Sequence, residues 1–434
     1  MMIHTKITLV FLVAAQAFAT AVKETGNPAK PQASETKPSI VNIEKVGERF
    51  ELFRNGKPYF IKGAGGSAYL DKLADAGGNS IRTWSSSADI LDKAHEKGLT
   101  VCMGLRMQKP RHGADYRDAN ILREQRSRIR NDVEQLKNHP ALLMWGIGNE
   151  VEHLADPEDQ VLIWNEIETL AKIIKDIDPN HPVITVMAGA GPKLADCPTL
   201  DAIGINSYGA LSYVPSMIQE YAWEKPYLIT EFGPRGWWEA PRTAWGLPIE
   251  QTSTEKAEFY ATAYKAAIDD RANCLGSYVF LWGNKQEKTH TWFNLFLPDG
   301  SPTEIVDTMT YLWTGRWPQN RAPKIGDKKI YVEDEDKLHI YKASSQLVFN
   351  VQADDPDGDE LTVTWDIRKD ASDNPSTGGD WEPRIPPIEG AVVSSEAKTA
   401  TIKMPQEAGN YRIFVYVCDP SGKVATANLP IRLE

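Results

Sequence analysis

Ala141-Leu-Leu-Met-Trp-Gly-Ile-Gly-Asn149-Glu150 is an apolar run with no polar face that stops abruptly at an amide and a carboxylate. A run this short, bounded by glycine, reads as a strand covered on both sides, as in a parallel sheet beneath helices. Its last residues then stand at the open end of that sheet. Pro226-Tyr-Leu-Ile-Thr-Glu231-Phe-Gly233 repeats the pattern, with a second glutamate at the point where the apolar run ends. A single strand-end glutamate is explained equally well as the cap of a following helix. Two in series are a different matter, because two facing carboxylates can break a glycosidic bond: one protonates the leaving oxygen and the other attacks the sugar carbon.

Working outward, six further short apolar runs can be read: Tyr59 to Gly63, Ser80 to Trp84, Thr100 to Gly104, Val183 to Met187, Ala202 to Asn206 and Gly276 to Trp282. Amphipathic stretches lie between them. In Val161 to Ile177, for example, Ile163, Ile167, Leu170 and Ile174 recur at helical spacing. Eight strand-helix units within residues 41–318 fit the size of an α/β (β/α)8 TIM barrel, roughly 250 residues. The rival open sheet would bind a nucleotide, but Gly63-Ala-Gly-Gly66 lacks the spacing of a phosphate-binding turn. Arg49 to Phe60, with Asn55-Gly56 at its centre, reads as a hairpin that plugs the bottom of the barrel.

The ends of the chain differ in character. Residues 1–19 read as a signal peptide, with Lys6, an apolar run and Ala17-Phe-Ala19 as the cleavage site, so a secreted or periplasmic protein is expected. Residues 20–40 read as a disordered linker rich in Pro, Lys, Thr and Glu. After a second linker near Asn320, residues 325–434 alternate with period two and carry turn signals. This predicts an all-β, Ig-like or PKD-like sandwich. With no paired strand-end carboxylates, that domain is expected to act as an accessory whose removal spares hydrolysis of a short substrate. Its turn Asp354-Asp-Pro-Asp-Gly-Asp359-Glu360 could hold structural Ca²⁺, although an acidic hairpin turn needs no metal.

Composition removes several classes of function. With 48 Lys and Arg against 59 Asp and Glu, the net charge of −11 argues against nucleic acid. The leader is too short to span a membrane. No two of the eight histidines form a metal motif, so no metal or other cofactor is expected at the site. The four cysteines are widely spaced; Cys102 and Cys274 read as buried hydrophobes, and a Cys197–Cys274 bridge is left open.

Gly148-Asn149-Glu150 resembles the acid/base motif, and Thr230-Glu231-Phe-Gly the nucleophile motif, of the retaining glycoside hydrolases built on a (β/α)8 barrel. That clan includes the family 2 catalytic barrels and the family 5 enzymes. The stretch Asn55 to Gly63 is similar to the start of a family 2 barrel, and a barrel with an Ig-like domain is similar in architecture to the family 158 endo-β-1,3-glucanases. The segment Gly104 to Gln108 departs from family 5, lacking the histidine many of its members carry there.

The resemblance implies Glu150 as acid/base and Glu231 as nucleophile, with Arg82 and Tyr208 as the nucleophile's hydrogen-bond donors. Asn149 would meet the sugar 2-hydroxyl. Trp282, ending the eighth strand, would stack under the sugar, with Trp237, Trp238 and Trp292 in nearby loops as further sugar contacts. The expected partner is a polysaccharide or oligosaccharide. A neutral β-glucan, β-1,3-linked above all, is favoured on the supply of tryptophans. A polyuronate would use Arg106, Arg111, Arg235 or Arg242 and is disfavoured by the net charge. Two alternatives keep the barrel: a transglycosylase with the same site, and a non-catalytic carbohydrate-binding protein.

Overall fold

The computed structural model describes residues 37–189, 194–269, 271–333, 338–371 and 379–434. The leader at residues 1–19, and the linker as far as residue 36, lie outside the described residues. The described chain opens with a three-stranded antiparallel sheet, β1 (Val41–Val46), β2 (Arg49–Arg54) and β3 (Lys57–Pro58). Asn55 and Gly56 turn β2 into β3 with φ of 51° and 73°, the left-handed region that this residue pair tolerates best.

Eight parallel strands then close into a barrel: β4 (Ile61–Gly65), β5 (Ser80–Arg82), β6 (Thr100–Leu105), β7 (Leu142–Ile147), β8 (Val183–Met187), β9 (Ala202–Asn206), β10 (Tyr227–Phe232) and β11 (Cys274–Val279). Closure comes from β11 pairing with β4. Among the described residues, seven helices fill the connections: α1 (Leu70–Asp75), α2 (Ala88–Glu96), α3 (Ala119–Leu136), α4 (Pro157–Ile177), α5 (Val214–Glu220), α6 (Ser253–Ala267) and α7 (Glu304–Thr314). Between β8 and β9 the described residues contain only a short 3-10 turn, Leu194–Asp196.

Strand alternation sorts the side chains into two cores. Cys102, Met144 and Ile184 belong to the inner core, whereas their successors Met103 and Trp145 pack outward with Ile163, Ile167, Leu170 and Ile174 of α4. The inner core also takes in Val41 and Leu52 of the leading sheet. Val41 N donates to Asn180 O at 2.8 Å and Phe50 N to Ala272 O at 2.9 Å, which fixes that sheet against the loops ahead of β8 and β11. The hairpin thus covers the N-terminal end of the barrel and leaves the C-terminal end open. All four cysteines are unpaired; Cys197 and Cys274 are each buried and are not bridged.

The remaining strands form two facing four-stranded sheets. They are β12 (Lys324–Tyr331), β13 (Ile340–Tyr341), β14 (Gln346–Asp354), β15 (Thr362–Lys369), β16 (Val392–Glu396), β17 (Thr399–Lys403), β18 (Gly409–Cys418) and β19 (Val424–Leu433), ordered β12-β14-β17-β16 and β13-β19-β18-β15. Phe349, Ile367, Ile402, Ile413 and Val415 lie in the core between them. The contact with the barrel is polar and buried. Arg412, ion-paired with Asp370, donates to Pro248 O at 2.7 Å, and Asn428 donates to Glu250 Oε2 at 2.6 Å. Lys423 pairs with Asp307 at 2.6 Å, and His290 meets the Tyr416 hydroxyl at 2.7 Å. These partners belong to the loops after β10 and β11 and to α7, so the sandwich grips the segments that rim the open end of the barrel.

Among the described residues, no helix is long and apolar enough to cross a membrane. At the acidic turn, the carboxylates of Asp355, Asp359 and Asp419 lie within 4.8 Å of one another. The chain's own donors shape this turn: Asp355 accepts from the amides of Asp357 (2.8 Å) and Asp359 (3.3 Å), and Asp419 accepts from Asn320 (2.7 Å) and the Lys423 amide (2.9 Å).

Candidate active site

The C-terminal ends of the barrel strands surround a cleft of about 1270 Å³ that contains both glutamates. Gly148 makes the sharp exit from β7 at φ 67°, and a Cβ there would lie 2.6 Å from Val151. Glu150 itself sits at φ 51°, a conformation that strains a residue with a side chain. Its amide donates to Val186 O at 2.8 Å, which fixes the turn against β8. Asn206, ending β9, donates to Glu150 Oε1 at 2.8 Å and to Asn149 Oδ1 at 3.1 Å, while its own oxygen accepts from Thr230 at 2.8 Å.

Glu231 is held by three donors. Arg82, buried at the end of β5, gives its Nη1 to Glu231 Oε1 at 2.8 Å and to Thr230 O at 3.0 Å, and its Nη2 to Asn149. Trp84 Nε1 reaches the same Oε1 at 2.9 Å, and Tyr208 donates to Oε2 at 2.7 Å. Burial and the neighbouring Glu231 charge push the Tyr208 phenol well above 10, so it remains a donor. Both oxygens of Glu231 therefore carry donors, which fixes the carboxylate's orientation at the end of β10.

Glu150 meets the opposite environment. Burial first, and the Glu231 charge second, push its carboxyl above the usual carboxylate range, against the opposing effects of Asn206, Lys109 and Arg111. Glu152, two residues on and also buried, is pushed up to about 7 by desolvation. The site thus sets a carboxyl that favours its proton, Glu150, beside one that is ion-paired with Arg82, Glu231, an arrangement suited to acid-assisted nucleophilic displacement.

Arg82, Asn149 and Tyr208 therefore stand where the sequence places them, around the two glutamates. The tryptophans divide. Trp237 and Trp238 line the cleft, the second 46% exposed. Trp282 and Trp292 do not. Trp282 is 1% exposed, donates to Tyr69 O at 3.1 Å and packs on Phe296 and Trp313 in the outer core. β11 ends at Val279, before the sequence reading ended it, and Phe280 is the ring that enters the cleft. Trp292 is sealed beneath the loop after β10, donating to Arg235 O at 2.9 Å, with Arg412 of the sandwich 5.9 Å from its ring.

Sequence reasoning assigned no role to Trp84 or Asn206, although both stand in the strand-end segments it singled out. It also missed Lys109 and the sandwich residues Gly379 and Asp380, which line the cleft; the C-terminal domain is thus part of the cleft wall. Of the four arginines considered for an acidic sugar, Arg106 and Arg111 line the cleft, whereas Arg235 and Arg242 do not. Nε and Nη1 of Arg111 are buried and have no hydrogen-bond partner among the described residues.

A family model described as "Glycosyl hydrolases family 2, TIM barrel domain" matches residues 89–237, the segment from α2 to the loop after Glu231. β-Glucuronidase of Streptococcus agalactiae serotype V is 24% identical over 313 residues, covering 63% of this chain and 50% of the relative. Among solved structures, Bacteroides uniformis β-glucuronidase 2 covalently bound to cyclophellitol-6-carboxylate aziridine aligns with a TM-score of 0.50. It is 14% identical, and the alignment covers 91% of this chain and 48% of that one. The family 2 β-galacturonidase of Eisenbergiella tayi bound to galacturonate also aligns at 0.50, at 19% identity, over 64% of this chain and 55% of its own. At such identities the structures speak for the fold. The chain spans about half the length of the curated β-glucuronidases it matches. These matches support a glycoside hydrolase barrel similar to the family 2 barrel domain, and the likenesses to families 5 and 158 find no support in them.

Proposed function

We propose that this chain is a retaining β-glycoside hydrolase whose sugar carries a carboxylate, a β-uronide. Glu231 attacks the anomeric carbon and forms a glycosyl ester. The bond to the leaving oxygen breaks with its electron pair on that oxygen, which takes the Glu150 proton. Once Glu231 is esterified its charge is gone, and one of the influences that kept Glu150 protonated goes with it. The Glu150 carboxylate then removes a proton from water, which attacks the same carbon and frees Glu231. Two inversions give net retention.

The observation that carries the uronide reading is Arg111 in the cleft wall, whose Nε and Nη1 are buried without a hydrogen-bond partner among the described residues. Buried donor atoms left without a partner are costly unless an acceptor arrives, and an arginine fork suits a carboxylate. Lys109, two residues earlier in the same loop, senses the charges of both Glu150 and Glu231, which supports a second cation near the two carboxyls. The relatives named as β-glucuronidases, and the β-galacturonidase structure, agree with an acidic sugar. The neutral β-glucan expected from the tryptophans loses ground, since neither Trp282 nor Trp292 reaches the cleft. Export through the leader belongs to the same proposal, as a means of meeting extracellular glycans.

The test is hydrolysis of 4-nitrophenyl β-glucuronide and β-galacturonide beside the matching β-glucoside and β-galactoside. A uronide should lead by about a hundredfold or more in kcat/KM, the worth of one charge-assisted pair. Arg111→Gln should erase most of that lead. Faster hydrolysis of laminarin than of any uronide would restore the neutral glucan.

A further inference from the structure

We propose that residues 379–382 of the C-terminal sandwich form a distal sugar subsite, in which Asp380 takes hydroxyls and Trp381 offers a stacking face to a second pyranose unit of the substrate. This rests on reading the cleft as a glycosidase site and adds the length of chain it takes.

The placement of this segment is the first support. Gly379 and Asp380 line the same cleft as Glu150 and Glu231 although they come from the other domain. Asp380 Oδ1 lies 3.3 Å from His112 Nε2 in the loop after β6, and the Gly379 amide donates to Glu287 Oε1 at 3.3 Å in the loop after β11. The segment therefore bridges two barrel loops across the side of the mouth above β4 and β5.

Anchoring is the second. Glu382 is buried and accepts from the Lys288 amide at 2.8 Å, and Arg384 donates to Asn284 Oδ1 at 2.8 Å. Between the pinned residues Asp380 and Glu382 stands Trp381, 85% exposed. Leaving an indole in water forgoes a large part of its burial free energy, and an exposed indole carried between two anchored residues next to a cleft-lining one can meet the apolar C–H face of a pyranose.

Size is the third. A small-ligand pocket holds roughly 300–1,000 Å³. The cleft exceeds that at about 1270 Å³, with room for more than the sugar being cleaved.

The experiment compares kcat/KM for a uronide-ended oligosaccharide with that for the 4-nitrophenyl glycoside of the same sugar, in wild type, Trp381→Ala, Trp381→Phe and Asp380→Asn. Circular dichroism and Tm serve as folding controls. The oligosaccharide-to-aryl ratio should fall by about tenfold in Trp381→Ala, be largely kept by Trp381→Phe, and fall in Asp380→Asn. Unchanged ratios in an enzyme that cleaves both substrates would overturn the subsite and leave the glutamate assignments standing. Equal losses on both substrates would mark the segment as structural and overturn it too. Should wild type cleave no uronide, the same ratio is measured on whichever β-glycoside it does cleave; cleavage of none sinks the site reading and the subsite together.

Discussion

Replacing Glu152 by glutamine should make the protein more stable, and increasingly so as pH rises. The carboxyl is buried beside Glu150 and is raised from 4.5 to about 7, desolvation being the largest cause. A carboxyl whose folded pKa lies above its unfolded value supports the fold fully below pH 4.5, and that support is lost as pH rises through 7. Burying the anion thus costs on the order of 1 kcal/mol at pH 5, and the full shift of about 2.5 units corresponds to about 3 kcal/mol by pH 8. Glutamine does not titrate and keeps an oxygen for the Ala188 amide, which Glu152 Oε1 accepts at 2.8 Å. The unfolding entropy of a chain this long is roughly 0.8 kcal/mol/K, so the gain in Tm should be about 1 °C at pH 5 and roughly 3–4 °C at pH 8. Differential scanning calorimetry at the two pH values checks this. A gain that is the same at both, or a loss that grows with pH, would show that Glu152 is not a neutral buried acid and would refute the electrostatic picture of the cleft floor.

Glu231→Ala should lower kcat by about 10⁴ or more on every substrate. Glu150→Ala should cost about 10²–10⁴ with poor leaving groups and much less in the first step with 4-nitrophenyl glycosides, and azide should partly rescue it with retained configuration. An inverted first product from the wild type, seen by NMR, would reverse these roles. Truncation after Pro318 removes Asn428 from Glu250, Lys423 from Asp307 and Asp380 from the cleft, so activity and thermal stability should both fall, contrary to the accessory role read from the sequence; a folded truncation with wild-type kcat/KM would restore that role. Because its own donors shape the turn at Asp355 and Asp419, millimolar calcium should shift Tm by less than about 1 °C, and a rise of several degrees would reveal a bound ion.

What could be read from sequence was what local patterning determines. Eight short apolar runs are legible because a strand covered on both faces has no polar position to interrupt it, and the glutamates are legible because each ends such a run. Position beyond a strand end is another matter. Phe280 and Trp282 share the same parity, and strand alternation would place them alike, but β11 stops at Val279 and the chain turns, sending one ring into the cleft and the other into the outer core. Trp292 and Asp380 were beyond reach for a related reason, since Trp292 owes its place to packing between the loops after β10 and β11 and Asp380 to contact between two domains, neither of which a local pattern encodes.

If the substrate is the proposed uronide, the net charge misleads through scale. The net −11 sums a whole surface, and in salt of about 0.1 M such charges are screened beyond roughly 10 Å. A substrate already in the cleft meets instead the few groups within that distance, and on the wall beside Glu150 these include Lys109 and Arg111. The global sum can slow the approach of a polyanion. The local cations decide whether an acidic sugar is held once it arrives, and binding at the reacting carbon is governed by the second quantity. A salt dependence follows: added salt should slow encounter with a long polyuronate far more than it weakens hydrolysis of a short uronide, whose carboxylate would meet the buried Nε and Nη1 of Arg111. Equal salt sensitivity for the two substrates would mean that the acidic group is held at the surface and not at Arg111.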